Sequence, residues 1–98
     1  MKLIKVSAIW CMSCILMNER LKTLEEENNL SYETIEYDYD IDTKEVEQYN
    51  VGTVLPVYIL LDNEKELARI VGEKTKAELT RFFSENGALK WERHYFYY

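Results

Sequence analysis

Both cysteines of the chain, Cys11 and Cys14, lie where the hydrophobic pattern changes its period. The preceding run, Leu3 to Ile9, is short, rich in β-branched residues and free of glycine and proline, which predicts a strand. From Met12 onward, apolar side chains recur at intervals of three and four residues, as on one face of a helix. These side chains are Cys14, Met17, Leu21 and Leu24. The junction favours a fold that opens with a strand followed by a helix, and its cysteine pair indicates thiol chemistry.

The two sulfurs are expected to have different roles at this junction. Cys11 would lie near the first-turn N–H groups and the positive end of the helix dipole, where a thiolate is stabilised. Comparable sites lower the pKa of a cysteine from about 8.5 to roughly 3.5–7.5. Cys14 would lie one turn inside the helix, shielded from solvent but within reach of a mixed disulfide on Cys11. We therefore expect Cys11 to attack and Cys14 to resolve.

Two other interpretations of the cysteine pair stay open. The cysteines are either buried structural residues, or half of a zinc site, which needs about four ligands. The remaining soft ligand, His94, lies far away in the C-terminal tail and is more typical of a plain surface histidine. The favoured interpretation, a redox dithiol, requires no metal and no bound cofactor.

Composition excludes several classes of function. The chain has 98 residues and a net charge of −6 without a cluster of Lys or Arg, which argues against binding to nucleic acid. No stretch approaches the roughly 18 apolar residues that span a membrane, and the N-terminal apolar run is too short for a signal sequence. We expect a cytoplasmic protein, and in a reducing compartment a cysteine pair favours a catalytic or metal role over a structural disulfide.

The remaining pattern predicts four strands and three helices. The strands are Leu3–Ile9, Tyr32–Tyr39, Val57–Leu61 and Glu66–Val71, and the helices begin near Met12, Asp42 and Thr75. Asp42 with Glu45 and Thr75 with Glu78 have the spacing of capping boxes. The order β-α-β-α-β-β-α indicates two parallel crossovers, then an antiparallel hairpin and a last helix. We predict an α/β domain over residues 1–87, with a four-stranded mixed sheet and helices on both faces.

The segment from Trp10 to Cys14, together with this order of elements, resembles the thioredoxin family in its shortest form. The resemblance spans Lys2 to Asn86, nearly the whole chain. Trp10 occupies the position of the tryptophan that flanks the nucleophile in that family. At this position it is either a surface residue beside the thiolate or a core residue that shields it.

Two further positions support the resemblance. Pro56, the one proline, follows Cys11 by 45 residues and stands where thioredoxins have a cis-proline that faces the active site. Gly72 follows Pro56 by 16 residues and matches a glycine at the end of the second hairpin strand. In this family the backbone before the proline pairs with an extended substrate, in the manner of strand addition. The resemblance thus implies a cis Leu55–Pro56 bond and a substrate contact at Leu55.

The chain also departs from the family pattern. Lys5 stands where thioredoxins have a buried acid that helps to deprotonate the second cysteine, and Met12-Ser13 replaces the common Gly-Pro pair. The segment from Tyr49 to Pro56 is one residue longer than usual. Lys5 either extends its ammonium group to solvent or tunes the dithiol electrostatically. The base for Cys14 is therefore unassigned.

The resemblance implies a thiol–disulfide oxidoreductase that reduces protein disulfides through Cys11 and Cys14 and so contributes to cell redox homeostasis. Its electrons would come from a reductase or a small thiol. The alternative is a thioredoxin-like redox sensor or binding module with little turnover. Residues 88–98 form an aromatic C-terminal tail, which either packs on the domain, as core or as an added strand, or makes a homodimer or partner contact.

Overall fold

The boundaries of the longer strands and helices follow the changes of hydrophobic period along the chain. The computed structural model describes residues 1–90. The strands are β1 (Lys2–Ser7), β2 (Asn29–Leu30), β3 (Glu33–Asp38), β4 (Val57–Asp62), β5 (Lys65–Val71) and β6 (Leu89–Lys90), and the helices are α1 (Met12–Glu27), α2 (Thr43–Gln48) and α3 (Lys76–Glu85).

The main sheet has four strands in the order β3-β1-β4-β5. β1 pairs in parallel with β3, whereas β4 is antiparallel to both β1 and β5. The mixed sheet and the β4–β5 hairpin confirm the sequence prediction, and β3 lies at one edge. The prediction of a second parallel crossover is wrong. The six residues of α2 rise only about 9 Å, less than half of the roughly 20 Å of a six-residue strand, so the helix does not return the chain along the sheet.

The core has two layers, because successive residues of β1 and β4 face opposite sides of the sheet. We call the side covered by α1 and α3 the closed layer; its buried members are Leu3, Met17, Leu21, Leu24, Tyr58, Leu60, Leu79, Phe82, Phe83, Ala88 and Leu89. We call the side that includes α2 the open layer; its buried members are Ile4, Val6, Ala8, Cys11, Cys14, Val46, Leu55, Val57, Ile59 and Leu61. Helices therefore cover both faces, as predicted.

One of the two predicted capping boxes forms. The Thr75 hydroxyl accepts the N–H of Glu78 at 3.1 Å, and the Glu78 carboxylate accepts the N–H of Thr75 at 2.9 Å. The prediction for Asp42 is wrong, since its side chain makes no capping hydrogen bond to α2. The Asp42 carboxylate instead accepts the backbone N–H of Asp38, at 2.8 Å, and so closes the turn between β3 and α2.

A second, two-stranded sheet joins β2 to β6. Gly87 ends α3 with a φ of +75°, after which Ala88 and Leu89 are buried against the closed layer. The sequence pattern does not reveal these strands, because two residues carry no periodicity. The packed chain therefore continues beyond α3 to β6. The rest of the aromatic tail, Trp91 to Tyr98, lies outside the described residues, and so does its predicted packing or dimer contact.

Candidate active site

Cys11 lies at the N-terminal end of α1, as its position in the sequence predicts. The chain leaves β1 at Ser7 and turns through a hydrogen bond from the Cys11 N–H to the carbonyl of Ala8, at 3.1 Å. Cys11 has extended backbone angles and caps the helix: its sulfur accepts the backbone N–H of Cys14 at 3.1 Å. The sulfur is therefore held at the positive end of a 16-residue helix, where negative charge is stabilised.

Cys14 faces Cys11 from the first turn of the helix, and the two sulfurs form a disulfide. The Cα atoms are 5.2 Å apart, within the range of ordinary disulfides. Both residues are buried, Cys11 being 7% and Cys14 2% exposed. The two cysteines are therefore positioned to interconvert between a dithiol and a disulfide, and Cys14 is the less exposed of the two.

Leu55 and Pro56 lie in the segment that leads into β4. The peptide bond between them is cis, as the resemblance implied. The Leu55 side chain is buried in the same cluster as both cysteines, and the Pro56 carbonyl accepts the N–H of Gly72 at 2.8 Å. Gly72 has a φ of +86°, and a Cβ there would lie 3.4 Å from the side chain of Val54. This hydrogen bond fixes the segment to the end of β5.

Apolar side chains around the dithiol are exposed. Trp10 is 61% exposed, so it is a surface residue and not part of the core, and its indole N–H donates to the carboxylate of Asp40. Further exposed apolar residues come from the same loop, from the first turns of α1 and from the segment before Pro56. They are Ile9, Met12, Ile15, Leu16 and Val54. The apolar interior of the open layer is thus continued by an apolar surface beside Cys11.

Lys5 occupies the middle of β1, and its side chain is only 13% exposed. Its Nζ lies 3.9 Å from a carboxylate oxygen of Glu36 and 5.8 Å from the centre of the Tyr58 ring. Both neighbours are its cross-strand partners, Glu36 on β3 and Tyr58 on β4. The position of the family's buried acid is therefore filled by a cation that faces an acid on the next strand.

A pocket of about 420 Å³ opens next to Cys14. Its lining includes the polar side chains of Ser7, Asn18, Glu36, Asp38 and Asp42. None of these was identified from the sequence as a site residue. One available signal was the strand register, which places Glu36 directly opposite Lys5 once β1 and β3 are aligned as parallel neighbours.

A hydrogen bond between Tyr58 on β4 and Asn18 on α1 connects the sheet to the helix beside this pocket. The hydroxyl of Tyr58 donates to the Asn18 side-chain oxygen at 3.2 Å. Burial, and to a smaller extent the negative charge of Glu36, raise the pKa of Tyr58 above its ordinary value. Tyr58 is therefore a neutral hydrogen-bond donor at physiological pH.

Within residues 1–90, no three His, Cys, Asp or Glu side chains come together in a group that could hold a metal ion. In the same range, none of the helices combines the length and hydrophobicity that crossing a membrane requires. His94, the distant zinc-ligand candidate, lies outside the described residues.

The thioredoxin family model matches residues 1–85, which is most of the chain. The chain belongs to the thioredoxin family. Family membership and the Cys11–Cys14 disulfide support thiol–disulfide oxidoreductase activity as its general chemistry. None of the curated protein sequences matches the chain significantly.

Solved thioredoxin structures share the fold. A mutant thioredoxin from Halobacterium salinarum is 20% identical with a TM-score of 0.74, and the match covers 87% of this chain and 73% of the other. Thioredoxin-2 of the malaria parasite is 21% identical with a TM-score of 0.75, covering 86% and 81% of the two chains. Trxlp of Edwardsiella tarda is 24% identical with a TM-score of 0.73, covering 83% and 79%. At these identities the structures establish the architecture of the sheet and helices.

Proposed function

We propose that this protein is a protein-disulfide reductase that uses Cys11 as its nucleophile and Cys14 as its resolving thiol. The observation that carries the proposal is the unequal placement of the two sulfurs. The Cys11 sulfur accepts an N–H group at the helix N-terminus, whereas Cys14 is shielded one turn further along. An N-terminal position stabilises the attacking thiolate, and shielding keeps the resolving thiol away from other substrates.

The reaction has two exchange steps. The Cys11 thiolate attacks one sulfur of a substrate disulfide, the substrate S–S bond breaks, and the other substrate sulfur leaves as a thiolate. Cys14 then attacks Cys11, which releases the second substrate sulfur and leaves the Cys11–Cys14 disulfide. Two electrons have passed from the protein to its substrate.

The substrate would be an extended polypeptide that lies across the cis-proline segment. The Leu55 side chain is buried in the same cluster as both cysteines, and pairing with the Leu55 backbone would add the substrate as a short strand. Trp10 and the neighbouring exposed apolar side chains offer contact area for the residues around the substrate cysteine. These features support protein disulfides as substrates.

A reductase or a small thiol in the cytoplasm would return the dithiol to its reduced form, and no bound cofactor takes part. The reduction potential of the Cys11–Cys14 pair tests this direction of flux. A value in the cytosolic range of about −220 to −320 mV supports a reductase, whereas a value near about −120 mV would identify an oxidant.

Trapping of a covalent intermediate tests the assignment of the two cysteines. We expect Cys14→Ser to accumulate a disulfide-linked adduct with a protein substrate through Cys11, and Cys11→Ser to form none. Reduction of insulin should be lost in both variants. Insulin reduction that survives Cys11→Ser would overturn the proposal.

The second candidate is a redox sensor or binding module with little turnover. It is favoured by Lys5, because the residue at the position of the family's acid carries no carboxylate. Negligible insulin turnover by the intact, fully reduced chain would support this candidate. Comparing turnover and oligomeric state with and without residues 91–98 tests the proposed homodimer contact: association that is lost while turnover persists would assign the tail to docking alone.

A further inference from the structure

Release of the substrate depends on the ionisation of Cys14. Only a thiolate attacks the mixed disulfide, so the Cys14 thiol must first lose its proton. Cys14 is almost fully buried, and it lines the pocket described above. The proton acceptor is therefore best sought among the other side chains of that pocket.

Three carboxylates line the pocket, and two of them already hold the adjoining turn together. The Asp38 carboxylate accepts the backbone N–H groups of Asp40 and Ile41, at 2.8 Å and 3.1 Å. The Asp42 carboxylate accepts the backbone N–H of Asp38. Glu36 is the third, and within residues 1–90 its carboxylate accepts no hydrogen bond in the structure. Glu36 is thus the pocket acid that is not committed to the backbone.

Strand register brings Glu36 to the place where an acid is needed. Glu36 lies opposite Lys5 in the parallel pair β1–β3, and Lys5 lies opposite Tyr58 in the pair β1–β4. Directly paired residues project from the same face of a sheet, with neighbouring strands about 4.8 Å apart. The Lys5 ammonium group, 3.9 Å away, attracts the carboxylate toward this face. The cation, Lys5, is therefore on β1, and the acid, Glu36, is on the neighbouring strand β3.

We propose that Glu36 is the proton acceptor for the Cys14 thiol and that Lys5 is the positioning residue that holds Glu36 toward the pocket. The inference rests on the function proposed above. The proton passes from Cys14 through the pocket to the Glu36 carboxylate, and the Cys14 sulfur bonds to Cys11 as the bond from Cys11 to the substrate breaks. The substrate sulfur leaves with the electron pair of that bond and takes up a proton from Glu36.

Charged and titratable groups from every neighbouring element face this exchange. They are Cys14 from α1, Lys5 from β1, Tyr37 and Asp38 from β3, Tyr58 from β4, and Asp42 from the turn before α2. Tyr58 keeps its proton at physiological pH, and its hydroxyl donates a hydrogen bond to the Asn18 side-chain oxygen. Asp38 and Asp42 hold backbone N–H groups, and Lys5 is already a cation, which leaves Glu36 to receive the proton.

The two steps can be timed separately with an aromatic disulfide such as dithiobis(nitrobenzoate). Attack by Cys11 releases the first coloured thiolate, and resolution by Cys14 releases the second. Stopped-flow absorbance would follow both phases between about pH 5 and pH 9, a range that brackets the ordinary thiol pKa of about 8.5. The variant is Glu36→Gln, and the matched control is Glu33→Gln, the same change on the same strand but outside the pocket.

We expect Glu36→Gln to slow the second phase on the order of a hundredfold near neutral pH, the lower end of general-base effects. The rate of the first phase should not change. The difference between wild type and Glu36→Gln in the rate of the second phase should narrow at high pH, where hydroxide deprotonates Cys14 directly. Glu36→Asp should recover part of the rate. The Glu36 side chain is 54% exposed, so the folded structure should tolerate these changes.

Lys5 is tested by the pH profile of the same second phase. Lys5→Met should shift that profile, while Lys5→Arg should retain the wild-type profile because it keeps the cation. An unchanged profile in Lys5→Met would remove the positioning role of Lys5.

An unchanged second phase in Glu36→Gln would overturn the assignment of Glu36. Equal slowing of both phases, or the same slowing in Glu33→Gln, would likewise overturn it by showing a general structural effect. The proposed function fails differently: the wild type would then show no second phase, and Cys14→Ser would trap no adduct.

Discussion

The closed and open layers of the core are built from the same strands but differ in how they reach the surface. In the closed layer, Phe83 is fully buried, stacks with Tyr32 at 5.4 Å between ring centres and packs edge-to-face with Phe82 at 5.2 Å. In the open layer, the aliphatic side chains of β1 and β4 lead to Cys11 and Cys14. The closed layer is thus packed with aromatic side chains, whereas the open layer includes the two reactive cysteines.

This difference indicates a division of labour within one small domain. Burial of apolar side chains stabilises both layers. The open layer continues at Cys11 into exposed apolar residues, notably its sequence neighbours Ile9 and Trp10. Substitutions of the closed layer's aromatic residues on α3 should therefore change stability alone, whereas those in the open layer should change both stability and thiol reactivity.

Phe83→Ala is the strongest test of this separation. Removing the ring leaves a cavity between the sheet and α3, and such changes cost about 3–5 kcal/mol in the free energy of unfolding. Urea unfolding measures the loss. The rate at which the folded protein's reduced Cys11 reacts with iodoacetamide should not change, because Phe83 belongs to the other layer.

A milder variant protects this test against complete unfolding. Phe83→Leu keeps much of the volume and should lose less stability than Phe83→Ala. A changed alkylation rate in the folded Phe83→Leu protein would show that the two layers are coupled, and the separation would then fail.

Val46→Ala tests the open layer from the side of α2. Val46 is buried in the same cluster as Cys11 and Cys14. Loss of its two methyl groups should cost about 1–2 kcal/mol in unfolding free energy. The alkylation rate of Cys11 should also change, unlike in Phe83→Leu. If Val46→Ala changes only stability and not the alkylation rate of Cys11, the open layer has no more influence on the reactivity of Cys11 than the closed layer has.

The sequence predicted the parts of this comparison that rest on periodicity. Cys11 marks the change from period two to period 3.6, so the strand-to-helix junction was visible directly. The apolar run from Val57 also predicted a strand, which the structure shows buried on both faces.

Features that depend on register or on very short segments were missed. Glu36 is one of several acidic residues in an alternating strand, and its place beside Lys5 emerges only from the pairing of β1 with β3. The predicted direction of β4 was also wrong, because the hydrophobic pattern of a strand does not depend on the direction in which it runs. Asp42 matched a capping box, but the N–H of Asp38 competed successfully for its carboxylate.

Thr75→Ala tests whether the closed layer depends on the local formation of α3. Loss of the hydroxyl that caps the N-terminus of α3 should cost about 1 kcal/mol, measured by urea unfolding, without changing Cys11 alkylation. Thr80→Ala is the matched control. The Thr80 hydroxyl donates only to the Lys76 carbonyl within the same helix, so its removal should have little effect. Equal losses in both variants would show that the cap is not the cause.

Glu78→Gln gives the smallest effect and separates the charge of the capping box from its hydrogen bond. Hydrogen bonds with Thr75, first its backbone N–H and then its hydroxyl, lower the pKa of Glu78. A lowered folded-state pKa adds stability above the unfolded value of about 4.5 that disappears as the pH falls through the folded value. Gln keeps the hydrogen bond without the charge. Urea unfolding should therefore show wild type more stable above about pH 5, with the difference decreasing as the pH falls further. A difference that grows on acidification would contradict this assignment.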